Sequence, residues 1–282
     1  MSDNIITFRH VEAGGHSLRM YESGDAQAEP VLWLHGSGPG VDAMANWRGL
    51  LTDLAPHFRN IAPDILGFGE SACPDPWPRG IAASVELRAQ NTLALLDELK
   101  IDAAHVVGNS MGGMIAMRMA QMAPTRLRKI VLMGSGGAGG LHPEAAKATM
   151  EYLSNPSVDG LRNLMQMFVY DEKAFGIDLG KLAAERMVIA MRPDIARVNT
   201  ATFDFSQPLF VLTPDQLATI EHETLAIHGR EDRVVPVEAS YFLSTHLPNA
   251  QLHVFPKSGH WAQLEQRDRF KSLIHAFLNG SL

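Results

Sequence analysis

The sequence is poor in cysteine and in positive charge. Cys73 is the single cysteine among 282 residues, so no disulfide can form within the chain and a thiolate zinc site is not expected. Lysine and arginine number 24 against 31 aspartate and glutamate residues, which gives a formal net charge of −7. This balance argues against nucleic acid or an anionic membrane as the main partner. It leaves room for a small anionic ligand, because one arginine can outweigh the global charge locally.

Long apolar runs are missing as well. No stretch approaches the ~20 apolar residues that are needed to cross a bilayer. The opening segment MSDNIITFRH has neither the basic start nor the apolar centre of a secretory signal. We therefore expect a cytoplasmic protein. Hydrophobic residues make up 46% of the sequence and charged residues 20%, as in an ordinary globular protein.

The sequence does contain an alternation of apolar strands with amphipathic helices. A β-hairpin is predicted around Gly14-Gly15 and a last helix over 262–278. Further strands are predicted at 30–36, 59–65, 104–108, 129–134, 223–229 and 251–255. Strands that are buried on both faces and separated by helices indicate an α/β fold, with a mostly parallel central sheet flanked by helices.

The alternation is interrupted by a helical segment that is rich in methionine. We interpret this segment as a cap inserted over the carboxyl edge of the sheet, where such folds bind ligands. The predicted organisation is a first part of the core at 1–137, a helical cap at 138–215 and a second part of the core at 216–282.

A serine lies where a predicted strand turns directly into a helix, in the sequence AHVVGNSMGGMIAMRMA (103–119). Glycines two residues before and two residues after Ser110 allow the tight corner, which lifts the hydroxyl out at the amino end of the helix. This is the G-x-S-x-G nucleophile elbow. Ser110 is therefore the candidate nucleophile.

Two further strand ends carry the partners that a serine nucleophile needs. Asp232 follows the strand at 223–229, and His260 follows the strand at 251–255. The chain order of serine, aspartate and histidine is that of α/β hydrolases, in which the histidine takes the serine proton and the aspartate orients the histidine. Glu231 is a neighbouring competitor for the acidic position.

A glycine-rich turn follows the strand at 30–36, with the sequence HGSGPG (35–40). Glycines allow backbone N–H groups to face a reacting carbonyl, and we assign the oxyanion hole to the backbone N–H groups of Ser37 and Met111.

Taken together, these motifs resemble the meta-cleavage product hydrolases. The resemblance rests on HGSGPG with a downstream Asn46-Trp47, on PDILGFGES (63–71) and GNSMGG, and on HGREDRVVP (228–236) and SGHWAQLE (258–265). These α/β-hydrolase enzymes cut a carbon–carbon bond in the ring-fission products of aromatic compounds. The chain looks most like the branch that acts on 2-hydroxymuconic semialdehyde and its alkyl ketone relatives.

The resemblance implies a substrate, a chemistry and a set of binding residues. The substrate is a small anionic 2-hydroxy-6-oxo-hexa-2,4-dienoate, which is cleaved between C5 and C6 after an enol-to-keto step, without a metal or an organic cofactor. Arg192 matches the arginine that binds the C1 carboxylate. The other matching positions are Gly36, Gly38, Asn46, Asn109, Phe168 and Trp261. Members of the family are commonly dimers or larger homo-oligomers.

Three alternatives stay open from the sequence. The same chemistry could act on a bulkier 6-aryl ketone, or the protein could be a carboxylesterase. A non-catalytic receptor on this fold could also retain the whole triad. Arg192 itself could be a surface residue, because Arg186 and Arg197 lie nearby in the same helical segment.

Overall fold

The computed structural model describes residues 6–176 and 178–282. Its strands are β1 (Thr7–Ala13), β2 (His16–Ser23), β3 (Pro30–Leu34), β4 (Arg59–Pro63), β5 (Ala104–Asn109), β6 (Leu127–Met133), β7 (Thr224–Gly229) and β8 (Ala250–Phe255). Its helices are α1 (Ala43–Leu54), α2 (Ile81–Glu98), α3 (Met111–Met122), α4 (Pro143–Ser154), α5 (Val158–Gln166), α6 (Glu172–Phe175), α7 (Leu179–Ala190), α8 (Pro193–Thr202), α9 (Pro214–Ala218), α10 (Val237–His246), α11 (Ala262–Glu265) and α12 (Arg267–Leu278).

The strands form one sheet in the order β1-β2-β4-β3-β5-β6-β7-β8. The hairpin strands β1 and β2 pair antiparallel, and β2 also pairs antiparallel with β4. The six remaining pairing strands, in the sheet order β4-β3-β5-β6-β7-β8, run parallel to one another. The prediction of an α/β fold with a mostly parallel sheet is confirmed.

The two faces of the sheet bury different side chains of the same strands. On β3, Leu32 packs into a core with residues of α2 and α3, whereas Trp33 packs into a second core with residues of α1 and α12. This alternation follows from the two-residue period of a strand. A strand that is covered on both sides must be apolar throughout, which is the pattern that the sequence shows at 30–34.

One predicted helix is divided in the structure. The last helix does not run unbroken over 262–278, because Gln266 takes a non-helical φ of −121° between α11 and α12. The side chain of Gln266 donates instead to the carbonyl oxygens of Pro256 and Lys257, at 3.4 and 3.3 Å. The break lets α12 turn and pack against α1.

Helices α4 to α9 lie between β6 and β7 in chain order, in the segment where the sequence predicts a cap. Buried side chains of α4, α5 and α7, including Leu161 and Leu164, share a cluster with Val235 and Trp261, which follow strands of the sheet. Val198 of α8 and Leu217 of α9 pack instead into the core that contains Leu32. The helical segment is therefore packed directly onto the carboxyl edge of the sheet. The boundaries at 138 and 215 stay a prediction. Within the described ranges, no helix is both long and apolar enough to cross a membrane.

Candidate active site

The corner that carries Ser110 joins β5 to α3 within one residue. Ser110 has φ 54° and ψ −113°, which is a strained conformation for a residue with a side chain. Its N–H donates to the carbonyl oxygen of Met133 at 2.8 Å. The flanking glycines are required by close approach: a Cβ on Gly112 would lie 2.2 Å from the carbonyl oxygen of Leu34, and one on Gly108 would lie 2.5 Å from the backbone of Gly112.

The histidine and the aspartate of the predicted triad are paired. Nδ1 of His260 lies 2.7 Å from Oδ2 of Asp232. The other carboxylate oxygen of Asp232 accepts hydrogen bonds from the N–H groups of Val234 and Val235, at 2.7 and 3.0 Å. Since His260 and Ser110 line the same cavity, the loops after β5, β7 and β8 bring the three triad members to one edge of the sheet.

Asp232 is a buried carboxylate that remains ionised. Burial alone would raise its pKa, but the charge of His260 and hydrogen bonds from His228 and His260 outweigh burial and hold the pKa well below its usual range. Nε2 of His228 lies 3.2 Å from Oδ2 of Asp232 and 3.0 Å from the carbonyl oxygen of Val235. Two acceptors at Nε2 mean that this nitrogen carries the proton, while Nδ1 accepts from the hydroxyl of Ser240 at 2.7 Å.

Glu265 ties the loop of the catalytic histidine to the cap. One of its carboxylate oxygens accepts from the N–H of Gly259 at 2.6 Å, and the other accepts from the N–H of Tyr170 at 2.7 Å. Burial raises the pKa of Glu265 above its ordinary value. The N–H of Trp261 donates in addition to the carbonyl oxygen of Phe168 at 3.0 Å. Residues on both sides of His260 are therefore fixed to the cap.

The loop that contains Ser37 is held by two buried side chains. Nδ1 of His35 donates to the carbonyl oxygen of Gly36 at 2.7 Å, and Nε2 of His35 accepts from the N–H of Ile65 at 3.0 Å. Burial lowers the pKa of His35 to about 4, so the ring is neutral at pH 7, as these two hydrogen bonds require. The N–H of Gly36 donates to Oδ1 of Asn46 at 3.0 Å. These three hydrogen bonds fix the path of the loop.

Above Ser110 lies a cavity of about 260 Å³ between the sheet edge and the cap. The sequence-predicted residues that line it together with Ser110 and His260 are Gly36, Ser37, Gly38, Asn46, Asn109, Phe168 and Trp261. Met111 is fully buried at the first position of α3, directly after Ser110. The assignment of the oxyanion hole to the N–H groups of Ser37 and Met111 stays a prediction that this placement suits.

Arg192 does not line the cavity, which corrects the sequence-based placement. Its Nη1 donates to the carbonyl oxygen of Gly69 and to the carboxylate of Glu70, both at 3.0 Å, and its Nη2 donates to Asp194 at 2.9 Å. Arg192 is the N-cap residue of α8, beyond the end of α7. Its charge is therefore paired with Glu70 of the loop after β4 and with Asp194 of α8.

The arginine in the cavity is Arg186. Its guanidinium lies over the ring of Trp261, 5.1 Å from the ring centre, and its Nε is buried without a hydrogen-bond partner among the described residues. Burial lowers the pKa of Arg186 to about 10, partly opposed by Asp42, so the group is charged at pH 7. A buried cation without a partner is costly, and an anionic ligand would remove that cost.

Comparisons with known proteins identify the family of the chain. The family model described as the alpha/beta hydrolase fold matches residues 29–266. The chain is 38% identical over 277 residues to 2-hydroxymuconate semialdehyde hydrolase from Pseudomonas sp. (strain CF600), covering 96% of this chain and 93% of that protein. It is 34% identical to the structure of a meta-cleavage product hydrolase from Pseudomonas fluorescens IP01, with a TM-score of 0.87 and coverage of 97% and 98%. The chain belongs to the meta-cleavage product hydrolases.

A second solved structure of the family is closer in shape. The 2-hydroxy-6-oxo-6-phenylhexa-2,4-dienoate hydrolase from Rhodococcus sp. strain RHA1 superposes with a TM-score of 0.92 at 34% identity, covering 97% of this chain and 99% of that chain. As a meta-cleavage product hydrolase, the protein is an enzyme. Its candidate triad has the His260–Asp232 hydrogen bond and a cavity lined by both Ser110 and His260.

The pattern of α7 contains a signal for Arg186 that sequence reasoning missed. The buried residues of α7 are Leu179, Ala183, Arg186 and Ala190, at spacings of four, three and four. An arginine within the buried stripe of a helix indicates an internal charge. No comparable signal marks His228 or Glu265, because their importance comes from contacts with distant loops.

Replacing Asp232 tests the electrostatics of the triad. We expect Asp232→Asn to lower kcat about 10⁴-fold, because the histidine loses the acceptor that fixes its tautomer.

The pKa of Asp232 is lower in the folded state than in the unfolded chain, so its contribution to stability is present above about pH 4 and is lost as the pH falls. Urea unfolding between pH 7 and pH 3 should therefore show a smaller loss of stability for the variant than for the wild type. An equal loss in both proteins would contradict this account.

Replacing Glu265 tests the link between the cap and the catalytic histidine. Glu265→Gln removes one of two acceptor oxygens, and we expect kcat to fall about tenfold to a hundredfold, since a buried N–H group loses a charge-assisted bond. Glu238→Gln, which changes a carboxylate in the first turn of α10, is the control and should leave kcat within about twofold. Steady-state kinetics measures the effect of Glu265→Gln on catalysis, and the urea midpoint measures its effect on stability. A fall in stability with an unchanged kcat would show that Glu265 is only structural.

Proposed function

We propose that the enzyme hydrolyses the C5–C6 bond of 2-hydroxy-6-oxo-hexa-2,4-dienoates, giving 2-hydroxypenta-2,4-dienoate and a carboxylic acid. The observation that carries this proposal is Arg186, a buried cation that forms no ion pair with the described residues and lines the same cavity as Ser110 and His260. A simple ester needs no such cation, whereas the dienoate carries a carboxylate at C1 that a guanidinium can bind through two parallel hydrogen bonds.

The lining residues can serve the two halves of the reaction. Asn46 and Asn109 line the cavity with Arg186 and could hold the oxygen at C2. Moving the proton of the C2 enol to C5 gives a keto form whose 2-oxo group can accept electrons. Ser110, or a water activated beside it, then adds to C6 while His260 takes the proton. The C5–C6 electrons pass through the C3–C4 double bond to the 2-oxo group, and the resulting dienolate takes the proton from His260. If water is the nucleophile, the carboxylic acid is released in this step. If Ser110 is the nucleophile, the acyl group stays on Ser110 until a water that is deprotonated by His260 releases it as the carboxylic acid.

The cavity favours an apolar substituent at C6. Apart from Arg186 and His260, the described residues that line it include no lysine, arginine, histidine, aspartate or glutamate. The walls are largely hydrophobic, with Tyr152, Leu164, Phe203, Phe210 and Val235 among them. Some relatives at 33% to 36% identity are named as hydrolases of 2-hydroxy-6-oxononadienedioate, which carries a second carboxylate. A second carboxylate would have no cation here, so we propose an alkyl or aryl substituent.

A spectrophotometric assay tests the proposed function directly. The enzyme is mixed with 2-hydroxymuconic semialdehyde, with its 6-methyl and 6-phenyl ketones and with the nonadienedioate, and loss of the dienolate absorbance is followed. We expect fast bleaching with one or both ketones and slow bleaching with the dioate. Ser110→Ala should lower kcat about 10⁶-fold. If the enzyme turns over aryl esters but none of the dienoates, it is a carboxylesterase. If it binds a dienoate and consumes it only slowly, it is a receptor.

The two arginines provide a matched pair of variants for carboxylate binding. We expect Arg186→Gln to lower kcat/KM for dienoates about a hundredfold, because a charge-assisted bond to C1 is lost. Arg192→Gln removes the same charge from an ion pair outside the cavity and should change kcat/KM no more than a few-fold. The kcat/KM for hydrolysis of an uncharged aryl ester should change little in either variant. If Arg186→Gln lowers kcat/KM equally for the ester and the dienoate, Arg186 does not bind the carboxylate.

A further inference from the structure

A second arginine is buried near the site and forms no ion pair with the residues that the structure describes. Arg88 in α2 is fully buried. Its Nε donates to the carbonyl oxygen of Leu66 at 3.0 Å, and its Nη1 lies 3.3 Å from Sδ of Met111. The rings of Phe68 and Trp77 each lie 4.7 Å from the guanidinium carbon. Among the described residues Arg88 forms no ion pair, and its Nη2 has no hydrogen-bond partner.

Burying the Arg88 charge without an ion pair lowers the stability of the folded protein. Burial lowers the pKa of Arg88 to about 9, so the group still carries its charge at pH 7. An apolar side chain of similar length would fill the space between the two aromatic rings without any desolvation cost. The cost of the charge therefore points to a role outside the packing of the core.

The position of Arg88 suggests which negative charge it serves. Met111 follows the nucleophile Ser110, and its N–H is the predicted donor to the oxyanion. The guanidinium of Arg88 lies at the far end of the Met111 side chain, inside the core. Its charge also acts on the buried ring of His35, lowering the pKa of that residue after the larger effect of burial. His35 holds Gly36 next to Ser37, the other predicted donor. The cation thus contacts the side chain of one predicted oxyanion donor, Met111, on the side of the protein core.

We propose that the charge of Arg88 stabilises the oxyanion that forms against the N–H groups of Ser37 and Met111. Arg88 does not line the substrate cavity in the described structure; it acts through Met111 and is a positioning residue. The protein interior around Arg88 screens charges poorly, so a buried charge acts on groups that it does not touch. The oxyanion exists only during the chemical step, so the effect belongs to kcat rather than to KM. The inference needs a serine-hydrolase site but does not depend on the dienoate substrate.

The test separates the charge of Arg88 from its shape. Arg88→Met removes the charge and keeps an unbranched side chain, whereas Arg88→Lys keeps the charge. Two rates are measured: kcat and KM with the best dienoate, and covalent labelling of Ser110 by an alkyl fluorophosphonate. In labelling, the oxygen of Ser110 bonds to phosphorus, fluoride leaves, His260 takes the proton, and the phosphoryl oxygen occupies the oxyanion hole.

We expect Arg88→Met to lower both kcat and the labelling rate about tenfold, with KM changed by no more than about twofold. Arg88→Lys should keep most of both rates. Arg118→Met is the matched control, because Arg118 lies on α3 with Met111 but is partly exposed and paired with Glu86. It should leave both rates within about twofold. If the methionine variant does not fold, Arg88→Gln, which keeps a donor for Leu66, replaces it in the same comparison.

Two results would overturn the proposal. One is a neutral variant at position 88 that folds and keeps wild-type kcat and labelling rates. The other is an equal loss in the lysine and neutral variants, which would make shape rather than charge responsible. A wild-type enzyme that is labelled but consumes no dienoate would instead refute the proposed function, and the labelling rates would still decide the role of Arg88.

Discussion

The close crossing of α3 over β3 is the constraint on which the rest of the site depends. At Gly112 the helix lies against the carbonyl oxygen of Leu34 at a distance that admits no side chain. This contact forces the chain to turn within one residue, and Ser110 takes up the strain. The same crossing brings the amino end of α3 beside the loop that starts at His35. Ser110 and Met111 are therefore positioned by backbone packing, whereas the loop of Ser37 is held in addition by the side chains of His35 and Asn46.

Around this corner the protein maintains an unusual balance of buried charge. Asp232 is a buried anion with two histidine partners and two backbone donors, so it is fully compensated. Arg186 and Arg88 are buried cations without carboxylate partners in the described structure. The uncompensated charge in the site is thus positive, although the chain as a whole has a formal net charge of −7. Such a site favours an anionic substrate and an anionic transition state.

The cap is connected by hydrogen bonds to the segments on both sides of His260. Glu265 joins the N–H of Gly259 to the N–H of Tyr170, and Phe168 accepts from the N–H of Trp261. These bonds lie on both sides of His260 in the sequence. The segment that supplies Arg186 and the loop that supplies His260 are consequently held together, which sets the distance between the proposed carboxylate site and the proposed site of bond cleavage.

The sequence by itself determined the α/β fold and the candidate triad residues, because both depend on local patterns. Apolar strands must alternate with helices, and parallel strands place the loops after them at one edge. The choice between Arg186 and Arg192 was decided only by the tertiary structure. These residues are six positions apart, and the end of α7 directs one into the cavity and the other to Glu70. His228, Glu265 and Arg88 likewise have their roles through contacts with segments distant in the chain, since burial and pairing of charge are properties of the packed molecule.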